Sequence, residues 1–396
     1  MSKLRLSTDD LGFFFEGRHH ELARDLSRVG EHLRGDASHD ARAVAALLGK
    51  KHGLYAFLVP EKLGGFPVGH PDDETYVGVR SLCLIREMLG QVSALADSIF
   101  AVQGLGSYPL VLAGTHAQRE RVLPSVIRGD HVGAFALTEP EAGSDVASLQ
   151  TLATRAPGGY HLSGVKIYIS NVGIADHYIV FANANPSAGR RGITAFYVPS
   201  GAPGLTEEAL PLSAAHPLGK LTFDACFVPD DAVVGEVGGG FKLALRTLDT
   251  FRVTVGAAAV GMGTRALDET VARVSTRLQF GKPLAEQPVV QSKLADMATD
   301  LDAARLLVYR AAHAKDQGGE RLGKEAAMAK LFATEAASRA IDEAVQLHGG
   351  SGVLAGSVVE ALSREVRPLR IYEGTSEIQR LIIGGAVVRE RSLPSA

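Results

Sequence analysis

The hydrophobic period of this sequence changes twice along the chain, and that change constrains the fold more than any other feature. Between residues 18 and about 129, helix-forming residues are interrupted by Gly and Pro clusters, which predicts several helices joined by loops. Between about 131 and 231, apolar and polar residues alternate, as in 221–227, which is typical of strands with one buried face. After Gly240 the helical period returns.

The middle third is predicted to form an antiparallel sheet or barrel. The run from Tyr178 to Ala182 and the pair Ile167 and Ile169 resemble the alternating segment. In that segment Leu221, Phe223, Ala225 and Phe227 are expected on the buried face. Turn residues rather than long helices separate the strand patterns, and this favours antiparallel pairing.

Three long helices are predicted in the last third. Two apolar seams have helical spacing: Leu267, Val271, Val274 and Leu278 in the first, and Leu294, Met297, Leu301, Ala304 and Val308 in the second. A third helix, from about Leu322 to His348, carries Ala at close-packing positions and ends at Gly349 and Gly350. Together these helices imply an antiparallel bundle.

The fold class expected from these periods is mainly α with a central β domain. A chain of 396 residues is long enough for two or three domains. We place an N-terminal helical domain at 1–130, a middle antiparallel β-barrel-like domain at 131–236 and a C-terminal helical bundle at 237–396.

Composition and charge exclude several classes of function. The 41 basic and 44 acidic side chains give a formal charge of −3, so no basic field is present to hold a nucleic acid. Cys83 and Cys226 are too few for a disulfide framework or a four-thiolate metal site, and a reducing cytoplasm is the simplest compartment. Residues 1–15 lack the order of a signal peptide, and no apolar run approaches the ~20 residues that span a bilayer. We therefore expect a cytoplasmic protein without a membrane span.

One glycine pattern imitates a dinucleotide-binding fingerprint. Residues 260–266 fit G-x-G-x-x-A, but that fingerprint follows a strand, whereas residues 252–278 have the pattern of one helix. We interpret Gly261 and Gly263 as small residues where helices pack closely, with nicotinamide binding as the less favoured alternative. The sequence contains no P-loop, G-x-S-x-G or H-E-x-x-H pattern, so no metal or serine hydrolase is indicated.

The segment from Leu137 to Asp145 is rich in hydrogen-bond donors. The hydroxyls of Thr138 and Ser144, with the amides around Gly143, could hold a flavin carbonyl and a pyrophosphate. An ordinary Asx-type surface turn explains the same residues equally well.

A second segment, Arg370 to Arg380, places a carboxylate just before a predicted helix. Ser376 and Gln379 match a capping box, which predicts a helix that starts at about Glu377. Glu373 then lies in the preceding loop, where Gly374 gives the backbone room to turn. Such a carboxylate can serve as a general base if water is excluded, whereas a solvated acid near a helix N-terminus is the alternative.

Two further segments offer groups for a nucleotide. Arg277 could pair with a pyrophosphate and Phe280 could cover an adenine, although a plain helix C-terminus would have the same residues. The run Gln346 to Gly352 provides small residues for a close approach, as any glycine-capped helix would.

The order and spacing of these four segments resemble those of the acyl-CoA dehydrogenases. The resemblance runs from about Pro60, in Pro60-Glu61-Lys62-Leu63-Gly64-Gly65, to Arg389. The first 50 residues match only in helical character. The family's layout is a helical domain, a β domain and a four-helix bundle, which agrees with the organisation predicted above.

The resemblance implies an FAD enzyme that removes hydrogens from Cα and Cβ of an acyl thioester, carried by CoA or by a carrier protein. Glu373 would be the catalytic base that removes the α-proton, while the β-hydrogen leaves as hydride to flavin N5. The family binds the thioester carbonyl through a flavin ribityl hydroxyl and the backbone N–H at the base's own position, an oxyanion-type arrangement. An electron-transfer flavoprotein is the implied electron acceptor.

The resemblance also implies the roles of the remaining site residues. The positions that match flavin contacts are Thr138, Ser144, Tyr168, Ser170 and Thr375. Those that match contacts to the flavin of a neighbouring subunit are Arg277, Phe280, Gln346, Gly349 and Gly350, and they imply a homo-oligomer, expected to be a tetramer. The positions that match substrate contacts are Asp249, Arg252 and Gly374. Some relatives carry the base immediately before the arginine that matches Arg252, where this sequence has Phe251.

Three departures from the family pattern affect what the resemblance implies. Tyr168 replaces the usual Trp beside the flavin, and Pro288 stands where Gln is common, next to Gln287. CoA-specific relatives usually have an Arg followed closely by Ser or Thr in the region of 214–220. The Pro217-Leu218-Gly219 found here is more similar to relatives that oxidise groups tethered to carrier proteins.

Three alternative functions on the same scaffold remain open from the sequence. An oxidase would pass electrons to oxygen, and a desulfinase-type lyase would turn over without net flavin reduction. Retention of Glu373 argues against the lyase. A protein that keeps the flavin only as a structural cofactor is the third alternative.

Overall fold

The computed structural model describes residue 4 and residues 6–35, 40–214, 216–319 and 322–392. Contacts between Cα atoms divide the chain into two compact units. The first, here called the helical unit, comprises Met1–Ala37, Val79–Asp97 and Arg252–Ala396. The second, the sheet unit, comprises Ser38–Gly78 and Ser98–Phe251. The chain is mainly helical with a central sheet, so the predicted fold class is confirmed.

The α-helices lie on both sides of the sheet in the sequence. Their bounds are α1 Gly17–Gly35, α2 Ala41–Ala46, α3 Val79–Val92, α4 Ala94–Ala113, α5 His116–Ile127, α6 Gly240–Thr276, α7 Pro288–Asp316, α8 Gly323–His348, α9 Val358–Glu365 and α10 Ser376–Ser392. The helix predicted from about Leu322 to His348 is confirmed as α8.

The strands occupy the segment where the alternating pattern was found. Their bounds are β1 Gly133–Ala136, β2 Leu152–Ala156, β3 Gly159–Ser170, β4 His177–Asn183, β5 Ile193–Pro199, β6 Leu205–Ala209, β7 Leu218–Pro229 and β8 Val233–Val234. A small separate hairpin follows α6, with β9 Leu278–Gln279 and β10 Lys282–Pro283.

The sheet has the strand order β6-β7-β3-β2-β4-β5-β8, and β1 also pairs with β4. Most neighbours are antiparallel, as predicted. The prediction is wrong for β1, which runs parallel to β4 with Phe135 opposite Ile179, and for the single parallel pairing between β2 and β4. The long segment between Ala136 and His177 allows this parallel arrangement, which a tight turn could not.

Strand β7 changes the face that it buries partway along its length. Leu221 and Phe223 are buried as predicted, but Ala225 and Phe227 are exposed, and Cys226 is buried instead. Ala225 has a φ of +47°, and the pairing with β3 shifts register at this point. Such a bulge reverses the facing of every later side chain, so the prediction is wrong beyond Asp224.

The helical unit is built on close packing of α7 and α8, with α10 against α8 and α3 against α7. The second predicted seam is confirmed, because Met297, Leu301, Ala304 and Val308 are buried in α7 and Leu294 is half-buried. The first is wrong at two positions. Val271 is exposed, and Leu278 lies beyond the end of α6 in the hairpin.

Gly261 and Gly263 lie inside α6, and their predicted packing role is confirmed. A Cβ at Gly261 would lie 2.1 Å from the carbonyl oxygen of Glu87 in α3, and one at Gly263 would lie 2.4 Å from Leu301 in α7. The backbones of α6 and α3 therefore approach more closely than any larger residue allows.

Helix α4 is long and apolar enough to cross a membrane by length and composition alone. Almost all of its apolar stretch is buried within the protein, so packing accounts for its composition.

We expect Gly261→Ala to lower the free energy of unfolding by about 2 kcal/mol, because overpacking at a close backbone contact forces the helices apart. Gly384→Ala in α10 is the matched control, since a Cβ there meets nothing within 4 Å. The control should be neutral or stabilising, because Ala is the better helix former. Denaturant unfolding measures both, and equal stabilities for the two variants would contradict the packing role of Gly261.

Candidate active site

The loop that precedes α10 holds Glu373 in an unfavourable backbone conformation. Glu373 has a φ of +52°, and Gly374 follows with a φ of +92°. A left-handed conformation costs a non-glycine residue roughly 1–2 kcal/mol. Strain of this kind persists only where the surrounding structure imposes it, and it is common at functional sites.

The carboxylate of Glu373 is enclosed, although the residue as a whole is half-buried. Its Oε2 atom is buried and has no hydrogen-bond partner among the described residues. Burial raises the pKa of this carboxyl above its ordinary value, although the positive charges of Arg86, Lys330 and Arg252 oppose the rise. The result is a partly desolvated carboxylate with a free lone pair.

A buried ion pair supplies the first of those charges. Arg86 in α3 donates two hydrogen bonds to Asp97, at 2.8 and 2.7 Å, and both side chains are almost fully buried. A third donor atom of Arg86 lies 3.0 Å from the hydroxyl of Thr254 in α6. Because Asp97 binds one edge of the guanidinium and Thr254 accepts from its remaining nitrogen, the cation has a defined place near the Glu373 loop.

The carbonyl of Gly374 accepts two hydrogen bonds from neighbouring helices, and these hold the loop in place. Lys330 Nζ in α8 donates at 2.7 Å, and Gln379 Nε2 in α10 donates at 2.8 Å. The predicted capping box is corrected by this geometry, because the side chain of Gln379 turns to Gly374 instead of to Ser376.

The cap of α10 is Thr375, and the helix begins one residue earlier than predicted, at Ser376. The Thr375 hydroxyl accepts from the N–H of Ile378 at 3.3 Å, as an N-cap does. The hydroxyl of Ser376 instead donates to Glu335 at 2.6 Å, and Glu335 also pairs with Arg370. The sequence therefore identified the helix start but assigned the cap to the wrong hydroxyl.

In the sheet unit, the turn that carries Thr138 and Ser144 is anchored by a buried acid between them. Glu139 accepts from Lys166 Nζ at 2.7 Å and from the N–H of Thr151 at 3.0 Å. Burial lowers the pKa of Lys166 to about 8, although the charge of Glu139 opposes this. The turn is thus attached to β3 through a buried ion pair.

Tyr168 projects from an irregular part of β3. Its φ is +57°, the pairing with β7 shifts register between Lys166 and Ile169, and the residue is 64% exposed. Two residues later, the Ser170 hydroxyl lies 2.7 Å from Nε2 of His216. Burial lowers the pKa of His216 to about 4, so its imidazole is neutral near pH 7. The bulge thus presents a tyrosine ring at the surface of the sheet unit.

The predicted nucleotide-binding residues of the helical unit are exposed. Phe280 is 94% exposed at the tip of the β9–β10 hairpin, with φ values of +52° there and +76° at Gly281. A two-residue hairpin of this type prefers Asn or Gly at its first position, so an exposed Phe is costly there. Arg277 before the hairpin and Gln346, Gly349 and Gly350 at the end of α8 are also exposed.

The predicted substrate residues lie in α6. Arg252 is buried and its charge acts on Glu373, whereas Asp249 is half-buried. Phe251 is buried and packs edge-on against the ring of Tyr108, with 5.6 Å between ring centroids. A packed apolar side chain therefore occupies the alternative base position that the family resemblance implies.

Sequence reasoning missed Arg86, Asp97 and Lys330. For two of them the sequence carries a signal, which is a charged residue at an apolar helix position. Lys330 follows Ala326 by four residues and precedes Ala333 by three, on the buried face of α8. Arg86 likewise stands in the apolar run of α3. A cation at a core-facing helix position needs an anion or a function to retain it.

Comparison with known proteins supports the family resemblance. Family models for the acyl-CoA dehydrogenase N-terminal, middle and C-terminal domains match residues 22–130, 134–226 and 238–388. An acyl-CoA dehydrogenase of Bacillus subtilis (strain 168) is 42% identical over 338 residues, which cover 84% of this chain and 86% of that protein.

Solved structures of the same fold include two with different named substrates. Butyryl-CoA dehydrogenase of Megasphaera elsdenii is 36% identical with a TM-score of 0.87, covering 95% of this chain and 99% of that one. A prolyl acyl carrier protein oxidase is 27% identical with a TM-score of 0.84, covering 94% and 99%.

The fold and the matching family models are those of flavin-dependent oxidoreductases that act on CH–CH groups. The chain belongs to the acyl-CoA dehydrogenase family, and FAD is its cofactor.

The residues of the sheet unit fit FAD as a ligand. Within the described structure, the hydroxyls of Thr138 and Ser144 have no hydrogen-bond partner, so both are available as donors. Added atoms at Gly143 would meet nothing within 4 Å, which leaves the backbone between them open to a ligand. The exposed ring of Tyr168 adds an aromatic surface.

We expect Lys166→Met to lower the free energy of unfolding by about 3 kcal/mol, because it leaves Glu139 as a buried charge without its cation. Lys220→Met is the matched control in the same sheet, where Lys220 pairs with the more exposed Glu208. The control should change stability by less than about 1 kcal/mol. Urea unfolding followed by circular dichroism measures both. Similar small effects would show that the buried pair does not anchor the turn.

Proposed function

We propose that this enzyme converts an acyl thioester to the α,β-enoyl thioester, with Glu373 as the base that removes the α-proton. One observation carries the proposal: the Oε2 atom of Glu373 is buried and has no hydrogen-bond partner in the described structure. A carboxylate whose lone pair is neither solvated nor bonded is a stronger base than one in water.

The electrostatics around Glu373 suit this task. The α-proton of a thioester is weakly acidic, so a base of raised pKa gives a better proton transfer than an ordinary carboxylate. The base must also be ionised before the reaction, and the nearby cations favour that form. Burial and positive charge thus act in opposite directions on one group, which sets its pKa between the two extremes.

The backbone beside the base is available for the thioester carbonyl. The N–H of Glu373 donates no hydrogen bond to the described residues, because the loop has left the preceding helical turn. An N–H at this position can stabilise the negative charge that develops on the carbonyl oxygen as the α-proton leaves. Arg252 and Asp249 would hold the thioester arm.

FAD would supply the two-electron acceptor that takes the β-hydrogen as hydride. Within one subunit, FAD would be held by Thr138, Ser144, Tyr168, Ser170 and Thr375. In a homotetramer, the cofactor of a neighbouring subunit would be contacted by Arg277, Phe280, Gln346, Gly349 and Gly350. Such a contact would explain why Phe280 is exposed and has an unfavourable backbone conformation. An electron-transfer flavoprotein would accept the electrons.

We propose CoA as the carrier, with a carrier protein as the second candidate. The chain is 42% identical to the Bacillus acyl-CoA dehydrogenase and 27% identical to the carrier protein oxidase. The second candidate is kept because of one local feature, the Pro217-Leu218-Gly219 segment.

The purified protein should be yellow and should bleach under anaerobic conditions with a suitable acyl thioester. Glu373→Gln should keep the colour but slow bleaching by about 10³-fold or more, since a neutral amide cannot remove the proton. Stopped-flow absorbance measures the rate. Glu373→Asp is the matched variant and should retain part of the activity. Bleaching of Glu373→Gln at the wild-type rate would remove Glu373 from the mechanism.

A panel of matched acyl groups on CoA and on a carrier protein should separate the two carriers. We expect CoA thioesters to have the higher kcat/KM, by at least about tenfold, which corresponds to about 1.4 kcal/mol of discrimination. The measurement is the rate of reduction of an artificial electron acceptor. A preference for the carrier-protein thioester would contradict the CoA assignment and leave the role of Glu373 unchanged.

A further inference from the structure

Lys330 is a fully buried lysine that makes no ion pair with any residue that the structure describes. It lies on the alanine-rich inner face of α8, and its relative exposure is 0%. Its Nζ makes one hydrogen bond among the described residues, to the carbonyl oxygen of Gly374 at 2.7 Å. An ammonium group loses much of its hydration on burial, which is energetically unfavourable. That cost calls for a reason beyond the hydrogen bond.

The hydrogen bond alone does not supply the reason. The carbonyl of Gly374 already accepts from Gln379 Nε2 at 2.8 Å. A backbone carbonyl with one good donor is satisfied, so removal of the lysine amine would not leave an orphaned acceptor there. An apolar side chain on α8 would fill this space at lower cost.

The charge of Lys330 instead acts on its neighbours. Several titratable and charged groups on the surrounding elements interact electrostatically with Lys330 or Glu373. Together with these two residues, they are Arg86, Asp97, Arg252, Glu335, Tyr372 and Glu377. Asp97 is paired with Arg86, and Glu335 with Arg370. Glu377 is exposed at the start of α10. Glu373 is thus the enclosed carboxylate of this group that lacks a pairing cation.

We propose that Lys330 is a positioning residue that acts through Glu373: its buried charge keeps the Glu373 carboxylate ionised without forming a hydrogen bond to it. This inference rests on the proposed function of Glu373 as the base. A direct ion pair would occupy the lone pair that must receive the substrate proton. A cation tied to the neighbouring carbonyl supplies the field and leaves that lone pair free.

The two groups affect each other's titration in opposite directions. Burial lowers the pKa of Lys330 to about 8, although Glu373 opposes this. Burial raises the pKa of Glu373. The charge of Arg86 opposes that rise most, and the charge of Lys330 opposes it next. Removal of the lysine charge would therefore raise the pKa of Glu373 further, and the base would be protonated at a higher pH.

The test is the pH dependence of kcat/KM for the holoenzyme with Lys330→Met and Lys330→Gln. In both variants the acid limb should move upward by about one pH unit, on the scale expected for loss of a nearby opposite charge. At pH values above the shifted limb, both should approach the wild-type rate. Lys324→Met is the matched control on the same helix and should leave the profile unchanged, because Lys324 pairs with Glu390.

A second measurement observes Glu373 without turnover. Infrared difference spectra of the protein as a function of pH should contain a band from its protonated carboxyl that is missing in Glu373→Gln. The midpoint of this band should move upward in the two Lys330 variants. An unchanged midpoint would overturn the proposal, as would an equal loss of activity at every pH, which would indicate a structural role.

The variants should fold, because each removes a buried charge and leaves Gly374 paired with Gln379. Their thermal midpoints should be equal to or above that of the wild type, and Lys330→Gln keeps a polar side chain if Lys330→Met packs poorly. Failure of the two proposals can be distinguished. Full activity of Glu373→Gln would refute the base itself, whereas an inactive Glu373→Gln with unshifted Lys330 variants would refute only the role of Lys330.

Discussion

The balance between burial and charge at Glu373 is the constraint on which the proposed function of this protein depends. Burial raises the pKa of the carboxyl, and the charges of cations held by other elements oppose that rise. None of these cations forms a hydrogen bond to its buried Oε2 atom. Arg86 is held by Asp97, and Lys330 by the carbonyl of Gly374. The helices of this unit thus fix charges around the proposed base instead of pairing with it.

Backbone strain occurs at three of the residues proposed to have a function. The non-glycine residues with positive φ in the described structure are Tyr168, Asn171, Ala225, Phe280 and Glu373. Glu373 is the proposed base, while Tyr168 and Phe280 are proposed to contact FAD. Each of these three conformations costs stability, and each directs a side chain that a relaxed backbone would place elsewhere. The family's sequence motifs therefore correspond here to particular backbone geometries.

The hydrophobic periods of the sequence predicted the fold class, because the burial of apolar faces determines both the period and the type of secondary structure. The same reasoning failed in β7, where the positive φ of Ala225 reverses the facing of later residues, a local event that leaves no periodic signal. It also assigned the cap of α10 to Ser376 in place of Thr375, because both hydroxyls precede the same helix. The domain boundaries near residues 130 and 237 stay predictions, as do the roles of the individual site residues.

Lys330 and Arg86 could not be assigned from motifs. Lys330 meets Gly374 only through folding, and the partner of Arg86, Asp97, lies on the next helix. Their positions on buried helix faces were nonetheless visible in the pattern. The most direct test of the role of Glu373 is the structure of the holoenzyme with an unreactive acyl-thioester analogue bound. We expect a carboxylate oxygen of Glu373 within about 3–3.5 Å of the substrate α-carbon. A Glu373 side chain directed into solvent, or another base beside that carbon, would contradict it.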